Sequence, residues 1–191
     1  MVAIVPKLCL DPELNRLPVI FFMGPDLGGG GWQRTMYERV RYHADDRKLG
    51  EFVAAIPCRY GPGDPMMQFV RASETGEYEY QLPWERDLIE RAALTAHRGC
   101  VLCWLPEEST TEPRTDGESY ARDTRGEIGE IRGWMRHDKG VRFVLGAEPK
   151  FPGLNVIVRN FSYVVGGSFP VYDTIDDIAR GAVRVAKHSA R

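Results

Sequence analysis

The chain has 191 residues, 43% hydrophobic and 27% charged, which excludes a disordered chain and suits one domain around a single core. Its formal net charge of −2 argues against a general binder of nucleic-acid polymers, which is more often basic. No apolar run approaches the roughly 20 residues that cross a bilayer, and the start, MVAIVPKLCLDPELNRLP, lacks the features of a signal peptide, so a cytoplasmic protein away from membranes is expected.

Strand-like and helix-like stretches alternate. The first strand is predicted over 18–24, PVIFFMG, and stops at Gly24-Pro25. Four glycines, Gly28, Gly29, Gly30 and Gly31, follow, and Trp32-Gln33 opens a helix over about 31–43. A second strand is predicted over 51–57 and leads into an irregular stretch, 57–81, that begins PCRYGPGDPMM. A helix over 83–97 precedes a third strand, 99–105, and a second irregular stretch, 106–124. A helix over 126–137, strands over 141–147 and 162–166, and a helix over 173–188 complete the chain. Thr174 and Asp177 form a capping-box pattern at the start of that last helix.

The strands are continuously apolar, as strands covered on both faces are. The expected fold is therefore α/β: a flavodoxin-like, doubly wound five-stranded parallel sheet in the order 2-1-3-4-5, flanked by helices. It forms one domain over 1–191, with its core over about 18–188. Both long irregular stretches follow strands, which puts them at the carboxyl edge of the sheet, where open α/β sheets bind ligands.

Of the 4 cysteines, Cys100 and Cys103 form a CxxC. It lies on a predicted strand, where residues three apart point to opposite faces. No second CxxC or nearby His pair completes a zinc site, so core cysteines and no metal are expected. No cofactor is expected either.

Three stretches carry candidate chemistry. The glycine run sits between the first strand and first helix. It either offers backbone N–H groups to an anion or to sugar hydroxyls, or is a turn without a ligand. It has neither the Walker pattern nor GxGxxG spacing. In RDTRGEIGEIRGWMRH, 122–137, Thr124 and Glu127 form a T-x-x-E capping box, the default reading for Glu127. Its helix follows the long loop after the third strand, so its first turn is expected to face the glycines' cleft, with Glu127 held ionised by the helix dipole. Glu130 is expected in solvent or paired with an arginine. In QLPWERDLIE, 81–90, Trp84 and Glu85 begin a helix in an ordinary acidic first turn.

Taken in order, FFMGP with the glycines and WQ, then QLPWE, GEIG and GAEPKFPGLNVIV, resemble the nucleoside 2-deoxyribosyltransferase superfamily, in its branch of stand-alone deoxyribosyltransferase-like domains. The resemblance spans about residues 18–180. It implies that Phe21, Gly24, Gly28 to Gly31 and Trp32 form the opening strand and sugar-site loop, and that Glu127 is a nucleophile that attacks the anomeric carbon and forms a covalent glycosyl-enzyme. It implies that Glu85 contacts the base and helps protonate it as it leaves, and that Asn155 lies near the sugar site, donated in several relatives by a neighbouring subunit. A homodimer or higher homo-oligomer is the implied assembly, and a nucleoside or nucleotide the implied substrate.

The sequence departs from the family pattern at several points. Phe21 stands where some relatives carry a tyrosine that orients the glutamate. Ala121 stands where classical transferases have an aspartate, with Asp123 nearby, and Gly99 stands where an acidic residue often closes the preceding helix. These changes bear on base exchange more than on the sugar site; hydrolysis needs only a water in place of the second base. Some relatives hydrolyse nucleoside 5′-monophosphates, for which Arg59 and Arg125 are candidate phosphate contacts, equally readable as surface arginines. Two other readings stand beside this one: a nucleotide-binding module that has lost the chemistry, and an unrelated flavodoxin-like redox protein.

Overall fold

In the computed structural model, six strands are joined in one sheet: β1 (Val2–Ile4), β2 (Val19–Met23), β3 (Val53–Ala55), β4 (Gly99–Leu105), β5 (Phe143–Ala147) and β6 (Val171–Tyr172). All pairings are parallel, in the order β1-β3-β2-β4-β5-β6. The helices are α1 (Trp32–Asp46), α2 (Gln81–Leu94), α3 (Arg122–His137), α4 (Leu154–Val165) and α5 (Ile175–His188), with short 3-10 turns at Leu14–Arg16 and Pro65–Phe69. The structure describes residues 2–6, 10, 13–47, 50–58, 60–61, 63–70, 79–94, 99–138 and 140–188.

The sheet is α/β and parallel, as its continuous apolar strands require, and every residue of β2, β3, β4 and β5 is buried. Alternation along each strand divides the core. Val19, Phe21, Met23, Val101 and Cys103 pack with α2, α3 and α4 on one face. Ile20, Phe22, Cys100, Leu102 and Trp104 pack with α1 and α5 on the other. Cys100 and Cys103 are thus buried thiols on opposite faces of β4, and burial pushes the Cys100 thiol up to about 12.

The expected five strands become six, and the order differs in two details. Val2–Ile4, a three-residue strand not expected near the N-terminus, adds an edge strand beyond β3. The strand expected over 162–166 is instead the end of α4. Its β-branched valines read as strand, but Ile157 and Phe161 fall four apart and bury one helical face. Gly153 and Gly166 bound this helix in the left-handed conformation, with the Gly166 N–H bonded to the Ser162 carbonyl. The fifth strand expected there is Val171–Tyr172, paired to β5. At α5 the Asp177 N–H donates to Thr174 Oγ1 (3.1 Å) and the Thr174 hydroxyl to Asp177 Oδ2 (2.7 Å). No helix among the described residues is long and apolar enough to cross a membrane.

Candidate active site

Strand order reverses direction between β2 and β4. The chain leaves β2 to form β3 on one side and returns to form β4 on the other. Such a switch point leaves a crevice at the carboxyl ends of the strands. A cleft of about 600 Å³ lies there. Its floor and walls come from Gly24 to Leu27 after β2, Pro57 after β3, the first turns of α2, Arg114 in the loop after β4, and residues 121–124, Gly126 and Glu127 of the α3 start.

Glu85 and Glu127 both face this cleft. Trp84 is buried against Phe21 of β2, with ring centroids 6.1 Å apart, and this contact seats the first turns of α2 over the sheet. Gln81 Nε2 donates to Glu85 Oε1 at 2.7 Å. Burial pushes the Glu85 carboxyl up, against the Gln81 hydrogen bond and the Arg86 charge. Burial also pushes Glu127 up to about 8, helped by the neighbouring Glu85 charge. Glu127 makes no hydrogen bond or ion pair among the described residues. Two desolvated carboxyls that repel one another hold a proton near neutrality, and that proton belongs to the pair.

The capping-box reading of Glu127 does not hold. Helix α3 starts at Arg122, four residues earlier than expected, so Glu127 lies in its second turn and Thr124 is buried inside the helix. Ala121 caps it with φ 57° and no side-chain hydrogen bond. A non-glycine residue in the left-handed region is strained, and here it lines the cleft. Nor is Glu127 held ionised: burial outweighs the helix dipole. Glu130 pairs with Arg86, as one of the two expected arrangements has it.

The glycine run answers to the chain's own packing. Gly24 lines the cleft, and a Cβ there would collide with the Trp104 carbonyl and the Trp32 ring. Gly28, Gly29, Gly30 and Gly31 do not line it. Gly28 has φ 78°, its carbonyl accepts the Ser109 N–H at 2.7 Å, and an added Cβ would stand 3.1 Å from the Arg114 nitrogen. A Cβ on Gly29 would strike the Pro25 carbonyl. The partner that comes close enough to require glycine is thus the loop after β4 at Gly28 and the turn's own Pro25 at Gly29. Within that loop the Tyr120 hydroxyl donates to the Pro106 carbonyl (2.9 Å) and Arg114 holds Asp116 through two nitrogens, and the loop is tied to its surroundings where Glu148 Oε2 accepts the Glu107 N–H (2.6 Å).

Other expected site residues lie elsewhere. Phe21 is core. Trp32 is buried on the α1 side, its indole donating to the Pro25 carbonyl at 2.9 Å, so it holds the turn from behind. Arg125 stacks on Phe151 and donates to the Pro152 carbonyl at 2.7 Å, turned toward α4. Asn155 is exposed at the start of α4, where its side chain accepts the Val156 N–H at 2.9 Å. Asp123 does line the cleft, with 76% of its side chain exposed. Arg59 lies outside the described residues.

Sequence reasoning missed Asp26, Leu27, Gln81, Leu82, Arg86, Arg114 and Arg122 in the lining. Asp26 carried a signal, since it sits directly after the strand-ending Gly24-Pro25. Gln81 and Leu82 stood inside a motif already singled out. Arg114 carried none, because its place depends on how an irregular loop folds back. Cys58, beside the cleft, has its thiol pushed up to about 12 by burial and by Asp26. Among the described residues no group of three or more His, Cys, Asp or Glu side chains is arranged to hold a metal. No protein-family model, curated protein or solved structure matches this chain.

Proposed function

We propose that the chain cleaves or exchanges the N-glycosidic bond of a nucleoside or nucleoside 5′-monophosphate through a covalent glycosyl-enzyme on Glu127. The observation that carries this reading is the pairing of Glu85 and Glu127 in one cleft at the carboxyl edge of the sheet. Such chemistry needs one carboxylate to attack and one carboxylic acid to protonate the departing base. A pair that holds one proton between two raised carboxyls supplies both forms when the proton sits on Glu85. Glu127 then attacks the anomeric carbon as the C–N electron pair takes the Glu85 proton. Water next attacks the same carbon, returns a proton to Glu85 and releases Glu127. Leu27 and Leu82, 58% and 59% exposed at the cleft, offer apolar cover for a planar base.

Chromatography of free base tests this, using ribo- and deoxyribonucleosides and their 5′-monophosphates with and without a second base. Base released from one substrate supports hydrolysis. A new nucleoside that appears only with the second base supports exchange. No product from any member removes the reading.

One observation favours a second reading, a nucleotide-binding module without turnover: Glu127, pushed up to about 8, carries a proton at neutral pH in the ligand-free protein. Calorimetric binding of an intact nucleotide, with no base released on long incubation, would select it. The homo-oligomer implied by the resemblance finds support in α4, which carries exposed Val156, Tyr163 (81%) and Val165 beside Asn155. Light scattering that gives a strict monomer would remove it.

A further inference from the structure

Charge in the cleft is one-sided. Each guanidinium in its wall already holds a carboxylate that stands outside the lining: Arg86 with Glu130, Arg114 with Asp116 (2.6 Å), and Arg122 with Glu118 (2.5 Å). Asp26, Asp123 and the one charge that the Glu85–Glu127 pair keeps near neutrality remain in excess among the described residues. Asp26 and Glu85 receive hydrogen bonds from the neutral amides of Gln33 (3.2 Å) and Gln81 (2.7 Å). Asp123 shares Arg122 with Glu118. Glu127 is desolvated and unpaired among the described residues. A phosphate ester carries about two negative charges at neutral pH. It would enter beside these carboxyls, and among the described lining residues it would have to break an existing ion pair to be neutralised.

We infer that the cleft takes an N-glycoside whose base carries a formal positive charge, a pyridinium or N7-alkylated purinium nucleoside with no phosphate on its sugar. This rests on the N-glycosidase reading above and narrows its substrate. The chemistry fits the residues. When Glu127 attacks the anomeric carbon of such a substrate, the C–N electron pair neutralises the cationic ring, so the base leaves without a proton from Glu85. Water then attacks the glycosyl ester and gives its proton to Glu85, which passes it to solvent, and Glu127 leaves as carboxylate. The products are free sugar, neutral base and one proton. A cation bound beside Glu127 also favours its ionised form, the form that attacks.

Calorimetry on two matched pairs tests the inference at pH 6: guanosine with 7-methylguanosine, and the neutral benzamide C-riboside, which has no N-glycosidic bond and serves for binding alone, with nicotinamide riboside, each with its 5′-monophosphate; base release is followed for the N-glycosides. In at least one pair the cationic nucleoside should bind about tenfold or more tighter than its neutral partner. That advantage should shrink as salt is raised and fall to a few-fold in Asp26→Asn/Asp123→Asn. Neutral members that bind as tightly in both pairs, monophosphates that bind tighter, or no binding at all would overturn it. Cations bound preferentially but never cleaved would uphold the charge preference and remove the N-glycosidase reading. Guanosine cleaved faster than 7-methylguanosine would do the reverse.

Discussion

Two acidic clusters of this molecule titrate in opposite directions. In the cleft, burial pushes Glu85 and Glu127 up, and the Glu85 charge pushes Glu127 further. Between α1 and α5, Asp176 accepts from Arg39, from His43 Nε2 (3.0 Å) and from Arg180 (3.1 Å), and the Arg39 hydrogen bond, then His43, hold its carboxyl down at about 2. Residue type is nearly the same in both; what differs is whether a cationic donor is in contact. The Asp176 cluster ties two helices together and leaves no carboxyl oxygen idle. The cleft keeps two carboxyls dry and poorly paired, which costs folding stability and suits proton transfer.

The sharpest way to break this comparison is kinetic. Glu127→Gln should lower base release by at least about 10³-fold, as loss of a covalent nucleophile does, while Glu85→Gln should cost about 10²-fold by removing general acid help. An Asp176→Asn protein should keep its turnover. Equal losses in all three would make both clusters structural.

The second way is thermodynamic. A carboxyl whose folded value is raised from 4.5 to about 8 binds its proton more tightly in the folded state. Its destabilising contribution is absent below pH 4.5, grows through the window between, and is complete above about 8. Glu127→Gln should therefore stabilise the protein at pH 9 by roughly 3 kcal/mol, discounted for partial exposure, and by little near pH 4. Urea unfolding at the two pH values reads this directly, and a destabilised variant at pH 9 would deny that Glu127 is desolvated.

A third variant marks where the cleft ends. Gly28→Ala forces a side chain into left-handed backbone against the Arg114 nitrogen, a cost of about 1–2 kcal/mol. It should lower stability with KM unchanged, since Gly28 meets the loop and not the cleft. A raised KM at unchanged stability would restore the sugar-site role that the resemblance implied.

These contrasts also separate what was legible in the sequence from what was not. Continuous apolar runs located β2, β3, β4 and β5, because a strand buried on both faces leaves no other pattern. Valine-rich α4 misled, since a short apolar stretch reads as either element and only its Ile157/Phe161 spacing argued for helix. The two glutamates were legible as motif members, and strand order brings them together. Their protonation was not legible, because it depends on burial and on a neighbour 42 positions away in the chain, between Glu85 and Glu127. Nor was the use of Gly28, which depends on a loop about 80 residues further on, at Ser109 and Arg114.

The smallest expected effect belongs to the paired cluster. A carboxyl held below its usual range contributes stability that is present above pH 3.8 and is lost as pH falls toward about 2. Asp176 is 36% exposed, so solvent screens its partners. Asp176→Asn should cost about 1 kcal/mol or less at pH 7, lowering Tm by a few degrees, and the difference should close near pH 2. The direction of this pH dependence is opposite to that of Glu127→Gln: one variant loses most where the other gains most. Thermal melts of both variants across the same pH series would show the two trends diverging with rising pH if pairing and desolvation set the two clusters apart. Parallel trends would mean that both carboxyl sets respond only to the net charge of the chain.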